Sequence, residues 1–291
     1  MKDIISHNRK VHVKLLKPKA KFNKRLLLVL PFVIMTLLLF IVPLIMVIVK
    51  AFMPTDSGSV SLNWTIMSKF VFEKILLSIG LALAATAICT VLGYPFAYMM
   101  AFNRSKTFKA VLVVLITAPI WSSLLIKLIG LKTFMDICAG YNNSTYGHIF
   151  TVIGLVYIYI PFMILPLYTV LDDMPKNLIF ASQDLGQNMV KTFFKVVVPY
   201  TKIAFYSGLT MVFLPAVTTV AVPQFLNNAS NNSTIGDIIV QEGEEGLISD
   251  IALARASSLS LVVSIFILVL YLAIAYIPKL VEYRRNRKVI K

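Results

Sequence analysis

Six stretches of this chain, 26–49, 75–101, 110–131, 149–171, 203–226 and 257–277, are each long and apolar enough to cross a bilayer as a helix. The hydrocarbon core takes about 20 helical residues, and lipid offers no partner to a backbone amide, so such runs are confined to helices that satisfy their own hydrogen bonds. None of the six contains Asp or Glu, and Lys127 is their one basic residue. Lying four residues from the end of its stretch, Lys127 is expected to snorkel to the interface. Composition agrees: 58% of the 291 residues are hydrophobic and 14% charged, against about 25% charged in soluble domains. The first stretch is too long for the apolar region of a signal peptide, follows too long a basic lead and precedes no A-x-A site, so it is expected to be retained. The chain is predicted to be an all-α membrane protein with six transmembrane helices.

The net charge of +15 does not indicate nucleic acid, because the basic residues lie in the gaps between apolar runs and form no soluble domain. Residues 1–25 carry nine Lys and Arg, 102–109 three, 172–202 four and the segment from Pro278 six: 22 in all, against five in the alternate gaps (Lys50, Lys69, Lys74, Lys132 and Arg255). Basic loops stay on the cytoplasmic side, so both termini are expected there. The domain reading is a basic cytoplasmic arm, 1–25, a six-helix permeation domain, 26–278, and a basic cytoplasmic tail, 279–291. The arm could touch anionic lipid or simply set topology. Cys89 and Cys138 show neither metal spacing nor a disulfide framework, and His7, His12 and His148 form no ligand cluster, so no metal is expected. The Asn-x-Ser/Thr triplets at 143–145 and 228–230 lie in Asn-rich gaps where they arise by chance.

Proline recurs within the spans, at Pro31, Pro43, Pro95, Pro119, Pro161, Pro166, Pro215 and Pro223. Each removes a backbone donor and tends to kink its helix, which favours a transport bundle over a simple anchor.

The most informative segment is 172–199, between the fourth and fifth spans. Pro175 suits a first helical turn, with Asp172 and Asp173 at its positive end. Leu178, Ala181 and Leu185 then recur at i, i+3 and i+7 as one apolar stripe. Gly186 can end this helix because it adopts positive φ without steric penalty. A second helix is expected to restart near Asn188 and enter the membrane near Pro199.

This spacing resembles the loop of ABC importer permeases, patterned Glu-Ala-Ala, three residues, Gly, nine residues, Ile-x-Leu-Pro. Ala181 takes the first alanine and Gly186 the glycine; nine residues follow, and Val196, Val198 and Pro199 fill the last positions. Phe180 stands in place of the glutamate and Ser182 in place of the second alanine, leaving Asp184 as the nearby acid. Further segments, 92–98 (LGYPFAY), 118–121 (APIW), 125–132 (LIKLIGLK), 154–157 (GLVY), 161–168 (PFMILPLY), 183–186 (QDLG) and 214–216 (LPA), resemble the permeases of spermidine/putrescine importers.

The resemblance implies a type I ABC importer permease bundle with a cytoplasmic coupling helix, in a bacterial cell membrane. It implies as partners an ABC ATPase dimer, a second permease subunit and an extracellular substrate-binding protein, beside membrane lipid, with Leu178, Ala181, Asp184, Leu185, Gly186 and Pro199 at the ATPase contact. The chain contains no Gly-x-x-x-x-Gly-Lys-Ser/Thr, so it is expected to bind no cofactor itself, ATP and Mg belonging to the partner. Polyamines are multiply protonated, since amine pKa values lie near 10; with no carboxylate in the spans, aromatic faces, worth about 0.5–2 kcal/mol to a cation, suit their transient passage. Tyr94, Tyr98 and Tyr159 are available, and Trp121, Tyr157, Pro161 and Tyr168 are the candidates for the pathway. Alternatives are an ABC permease for another small solute, or a stand-alone carrier or channel, which would more often carry coupling charges inside its spans. A membrane enzyme would need a catalytic constellation that the spans lack.

Overall fold

The computed structural model describes residues 29–55, 60–139, 146–227 and 234–289; the 1–25 arm and both glycosylation triplets lie outside them. The described residues are helical, without strands. Two units divide at Met46/Val47.

Helix α1, Leu30–Phe52, starts with Pro31 in its first turn and presents exposed apolar side chains along its length, as a surface solvated by lipid requires. Its turn at Leu37–Ile41 is π-helical, directly ahead of Pro43. A proline strips the carbonyl four residues earlier of its donor, and widening the preceding turn is one way to re-pair it.

The second unit is built on α2 (Lys69–Phe102), α5 (Gly147–Asp172) and α8 (Lys202–Thr218), which pack against one another. Close approach comes from small residues, as expected where lipid removes the hydrophobic drive between helices. Met163 of α5 is fully buried; a Cβ on Gly93 of α2 would lie 3.3 Å from it, and a Cβ on Gly208 of α8 only 2.8 Å from its Sδ. Hydroxyls in the spans return to carbonyls one turn back, as Thr86 does to Ala82 at 2.7 Å, Thr151 to Gly147 at 2.8 Å and Thr210 to Tyr206 at 2.8 Å, so they cost little in an apolar medium.

Two of the six expected spans are not single helices. The third is α3 (Lys106–Trp121) and α4 (Leu124–Ala139), meeting at 98°. The fifth region is α7 (Met189–Tyr200) and α8, meeting at 74°, and α8 stops at Thr218 before a short α9, Ala221–Leu226, so 203–226 is not continuous. Each break lies just past a proline, Pro119, Pro199 or Pro215, whereas Pro95, Pro161 and Pro166 sit inside unbroken helices. Four helices among the described residues are unbroken and apolar enough to cross a bilayer, and with each bent pair taken as one span the number is six. The last, α11, runs Asp250–Val289 and so continues through most of the segment expected as a tail.

At the end of the bundle away from the 172–199 loop, a 3-10 turn at Val60–Trp64 and helix α10, Ile235–Glu245, cover the helix ends. Asn63 is fully buried; its side-chain amide donates to the carbonyls of Ala51 at 3.2 Å and Met53 at 2.9 Å, and its backbone carbonyl accepts from the Ser258 hydroxyl at 2.6 Å. Thr234 and Asp237 form a capping box at the start of α10, and the Ile235 amide donates to Ser78 of α2 at 3.1 Å.

Candidate functional site

The 172–199 loop is a helical hairpin tied to the body of the bundle. Helix α5 runs through Asp172, so Asp172 and Asp173 sit at its C-terminal end and not, as expected, at the N-terminus of the next helix. The reason is a partner: Asp172 lies 2.5 Å from Lys109 on α3, and a paired carboxylate tolerates the negative end of a helix dipole. Pro175 then stops α5. Its carbonyl accepts from Leu178 at 3.1 Å and that of Lys176 from Ile179 at 3.0 Å, forming one tight turn before α6, Asn177–Asp184. This is the helix expected over 175–185, shorter at both ends.

Gly186 has φ +78°. Its amide donates to Gln183 at 2.8 Å and the Gln187 amide to Ser182 at 3.2 Å, which is the Schellman arrangement closing a helix with a left-handed residue. The chain reverses, and Asn188 caps α7 by accepting from the Lys191 amide at 2.9 Å. The two arms are tied by Ser182 and Thr192, both buried, with hydroxyls 3.0 Å apart. Ile179 and Ser182 turn inward, Ile179 joining the core with Leu171, Met174 and Val197. The expected stripe faces outward: Leu178 is 43% and Leu185 82% exposed, with Ala181 exposed between them. Phe180, in place of the motif glutamate, is also exposed, as are Asp184 and Pro199. Exposed leucine on a helix end favours burial against another surface, at about 25 cal/mol per Å².

Sequence reasoning missed the base of the hairpin. At the 74° bend lies Thr201, fully buried, whose hydroxyl donates to the Val197 carbonyl at 3.0 Å and pairs with the Tyr94 hydroxyl of α2. Tyr94 and Tyr98 also meet Phe193 edge-on, with ring centroids 5.2 and 5.5 Å away. These two tyrosines, considered as cation partners, are committed to this cluster. The available signal was Pro199 two residues before a threonine at the entry to a span.

The pathway candidates are not gathered into one pocket. Tyr157, Pro161 and Tyr168 share α5: Tyr157 is 44% exposed, Pro161 buried, and Tyr168 half-buried one turn before Asp172. Pro161 has no N–H for the Tyr157 carbonyl, leaving an acceptor beside an accessible ring. Trp121, 89% exposed, ends α3 at the apex of the 98° break. Lys127 has a partner within the protein. Its ammonium donates to the Pro119 carbonyl at 2.7 Å, which also accepts from the Ser122 hydroxyl at 3.0 Å, so the cation caps the open end of α3 and staples the break. Lys127→Met is therefore expected to broaden the distance between spin labels at the exposed positions Val114 and Phe134, while Lys127→Arg preserves it; an unchanged distribution in the Met variant would show that the staple is idle. A small cleft at the gap between α8 and α9 is lined by Ser78, Thr151, Thr219 and Thr234 among others. Among the described residues, no cluster of His, Cys, Asp or Glu could hold a metal.

Residues 93–287, which include the whole hairpin and both bent pairs, match the family described as binding-protein-dependent transport system inner membrane component. The chain belongs to this family. It is a multi-pass membrane protein and a transport permease subunit. The permease is 36% identical over 274 residues to the Spermidine/putrescine transport system permease protein PotB homolog of Mycoplasma genitalium, covering 91% of this chain and 96% of that one. It is 32% identical over 268 residues to the Spermidine/putrescine transport system permease protein PotB of Escherichia coli, covering 84% of this chain and 96% of that one. Its fold matches a chain of the MetNI methionine ABC transporter in an inward-facing conformation, with TM-score 0.58 and 15% identity over 75% of this chain and 98% of that one. At that identity the likeness concerns the fold alone.

Proposed function

We propose that this permease forms the translocation pathway of an ATP-driven importer of polyamines, spermidine or putrescine, in a bacterial cell membrane. The observation that carries the reading is the hairpin: a helix closed by a left-handed glycine holds Leu178, Ala181 and Leu185 out from the body while Ile179 and Ser182 anchor it. Such a helix suits a groove on an ATPase dimer, which carries ATP and Mg, and it converts movement of that groove into movement of α7 and α8. The relatives named as spermidine/putrescine permeases support the cargo. The excess of Lys and Arg on the hairpin side supports a cytoplasmic hairpin and cytoplasmic termini; α10 then faces outward, where a substrate-binding protein docks. A second permease subunit completes the pathway and lipid surrounds it.

A pathway between two subunits is lined by residues on the surface of each. Trp121 and Tyr157 have that exposure, and the Tyr157 carbonyl, deprived of its i+4 donor by Pro161, adds an acceptor for an ammonium. Trp121→Ala and Tyr157→Ala are each expected to lower spermidine uptake severalfold, the loss of one cation–aromatic contact, while the ATPase still co-purifies. Uptake at the wild-type rate in both would remove them from the pathway. Uptake of another solute with no response to polyamines would keep the permease and replace its cargo.

A further inference from the structure

We infer that Tyr94 and Thr201 form a joint through which movement of the hairpin reaches helix α2, so that both are positioning residues for transport; the inference rests on the coupling reading of the hairpin. Three contacts converge on one side chain. Tyr94 is 7% exposed, and its hydroxyl meets that of Thr201, the residue at the 74° bend. Since the Thr201 proton is directed to the Val197 carbonyl at 3.0 Å, Tyr94 donates and Thr201 accepts. The tyrosine ring stands edge-on to Phe193, 5.2 Å away on the hairpin side of the bend, and tilted against Phe205, 6.1 Å away on the α8 side. One residue of α2 thus grips both arms of the bend and its vertex. At the preceding residue of α2, Gly93, an added Cβ would stand 3.3 Å from Met163 and from Ile164 of α5, so α2 and α5 are closely packed beside the joint.

The backbone at the vertex departs from regular helical geometry. Thr201 has φ −90° and ψ 6°, outside the helical well, and the five residues Phe193–Val197 before Pro199 form a π turn, a feature often found where helices adapt their geometry. Without a tether, a push on α6 would be absorbed as a change in this angle. The Tyr94–Thr201 hydrogen bond fixes the vertex to α2, so the push displaces α2 and α8 together. Burial strengthens this tether, because no water competes for either hydroxyl.

Tyr94→Phe deletes one oxygen and keeps the ring contacts; Thr201→Val deletes the acceptor at constant shape; Thr201→Ser keeps it. The assembled complex in proteoliposomes is compared for ATPase retention, hydrolysis and spermidine uptake. The expected result is that Tyr94→Phe and Thr201→Val retain the ATPase and hydrolyse ATP, but import about fivefold less spermidine per ATP, the scale of one buried hydrogen bond. Thr201→Ser should remain near wild type, and the double variant Tyr94→Phe/Thr201→Val should be no worse than either single one. Wild-type uptake per ATP in both isosteric variants, or equal loss in Thr201→Ser, overturns the joint. Loss of the ATPase in Tyr94→Phe also overturns it, by assigning Tyr94 to docking. Gly186→Val, run beside them, separates the two claims: a variant that keeps its ATPase overturns the hairpin reading and the joint with it, whereas loss there beside normal coupling in Tyr94→Phe overturns the joint alone.

Discussion

Gly186→Val is expected to leave a permease that inserts into the membrane but fails to retain its ATPase. At φ +78° an L-residue costs about 1–2 kcal/mol, and a β-branched one is the least tolerated there. The penalty is purely conformational, because a Cβ at this position meets nothing within 4 Å. That fact supplies the control: Gly186→Asn introduces a side chain of similar size that visits the left-handed region readily, and it should retain the ATPase. In the valine variant the chain relieves its strain by giving up the Gly186 and Gln187 hydrogen bonds, and the helix that presents Leu178 and Leu185 loses its angle. ATPase co-purification should fall by roughly tenfold or more, the equivalent of about 1.4 kcal/mol, with uptake falling in step. Equal loss in both variants would point to bulk and not to backbone geometry.

Gly208→Leu is expected to act on the fold itself. A Cβ there would stand 2.8 Å from the Met163 sulfur and 3.4 Å from the Met163 carbonyl oxygen. The thioether can swing aside for one methyl, so Gly208→Ala should be tolerated. An isobutyl group cannot be accommodated without moving α8 from α5, and overpacking of this kind costs about 1–3 kcal/mol. The thermal midpoint of the detergent-solubilised protein should drop clearly in Gly208→Leu and recover in part when Met163→Ala makes room. No drop would mean that α5 and α8 do not pack through this contact.

What could be read from the sequence was what is local. Apolar length located the spans, because a bilayer tests each run of residues separately. Gly186 was legible because a glycine after an apolar period has one common use, and its positive φ matches that reading. The breaks were not legible. Pro161 and Pro119 look alike in sequence, yet α5 continues through the first while α3 ends just past the second. What differs is tertiary: past Pro119 the open carbonyl is taken by Lys127 from the next helix and by Ser122. Asp172 was assigned to the wrong helix end because its partner, Lys109, is 63 residues away. The hydroxyl pair at the bend joins residues 107 apart, and Asn63 and Ser258 are 195 apart; no window on the chain contains both members. The stripe of Leu178, Ala181 and Leu185 could be read from its spacing and lies exposed, but the inward anchors of α6, Ile179 and Ser182, follow from contacts that periodicity does not specify.

The central claim is that this permease moves polyamines when an ATPase bound to its hairpin hydrolyses ATP. The direct measurement is uptake of labelled spermidine into proteoliposomes holding the permease with its ATPase, second permease subunit and binding protein. Accumulation is expected to require ATP, to be competed by putrescine and to disappear in Gly186→Val but not in Gly186→Asn. Uptake that proceeds equally without ATP or without the ATPase, or an assembled complex that hydrolyses ATP but ignores polyamines, would contradict it.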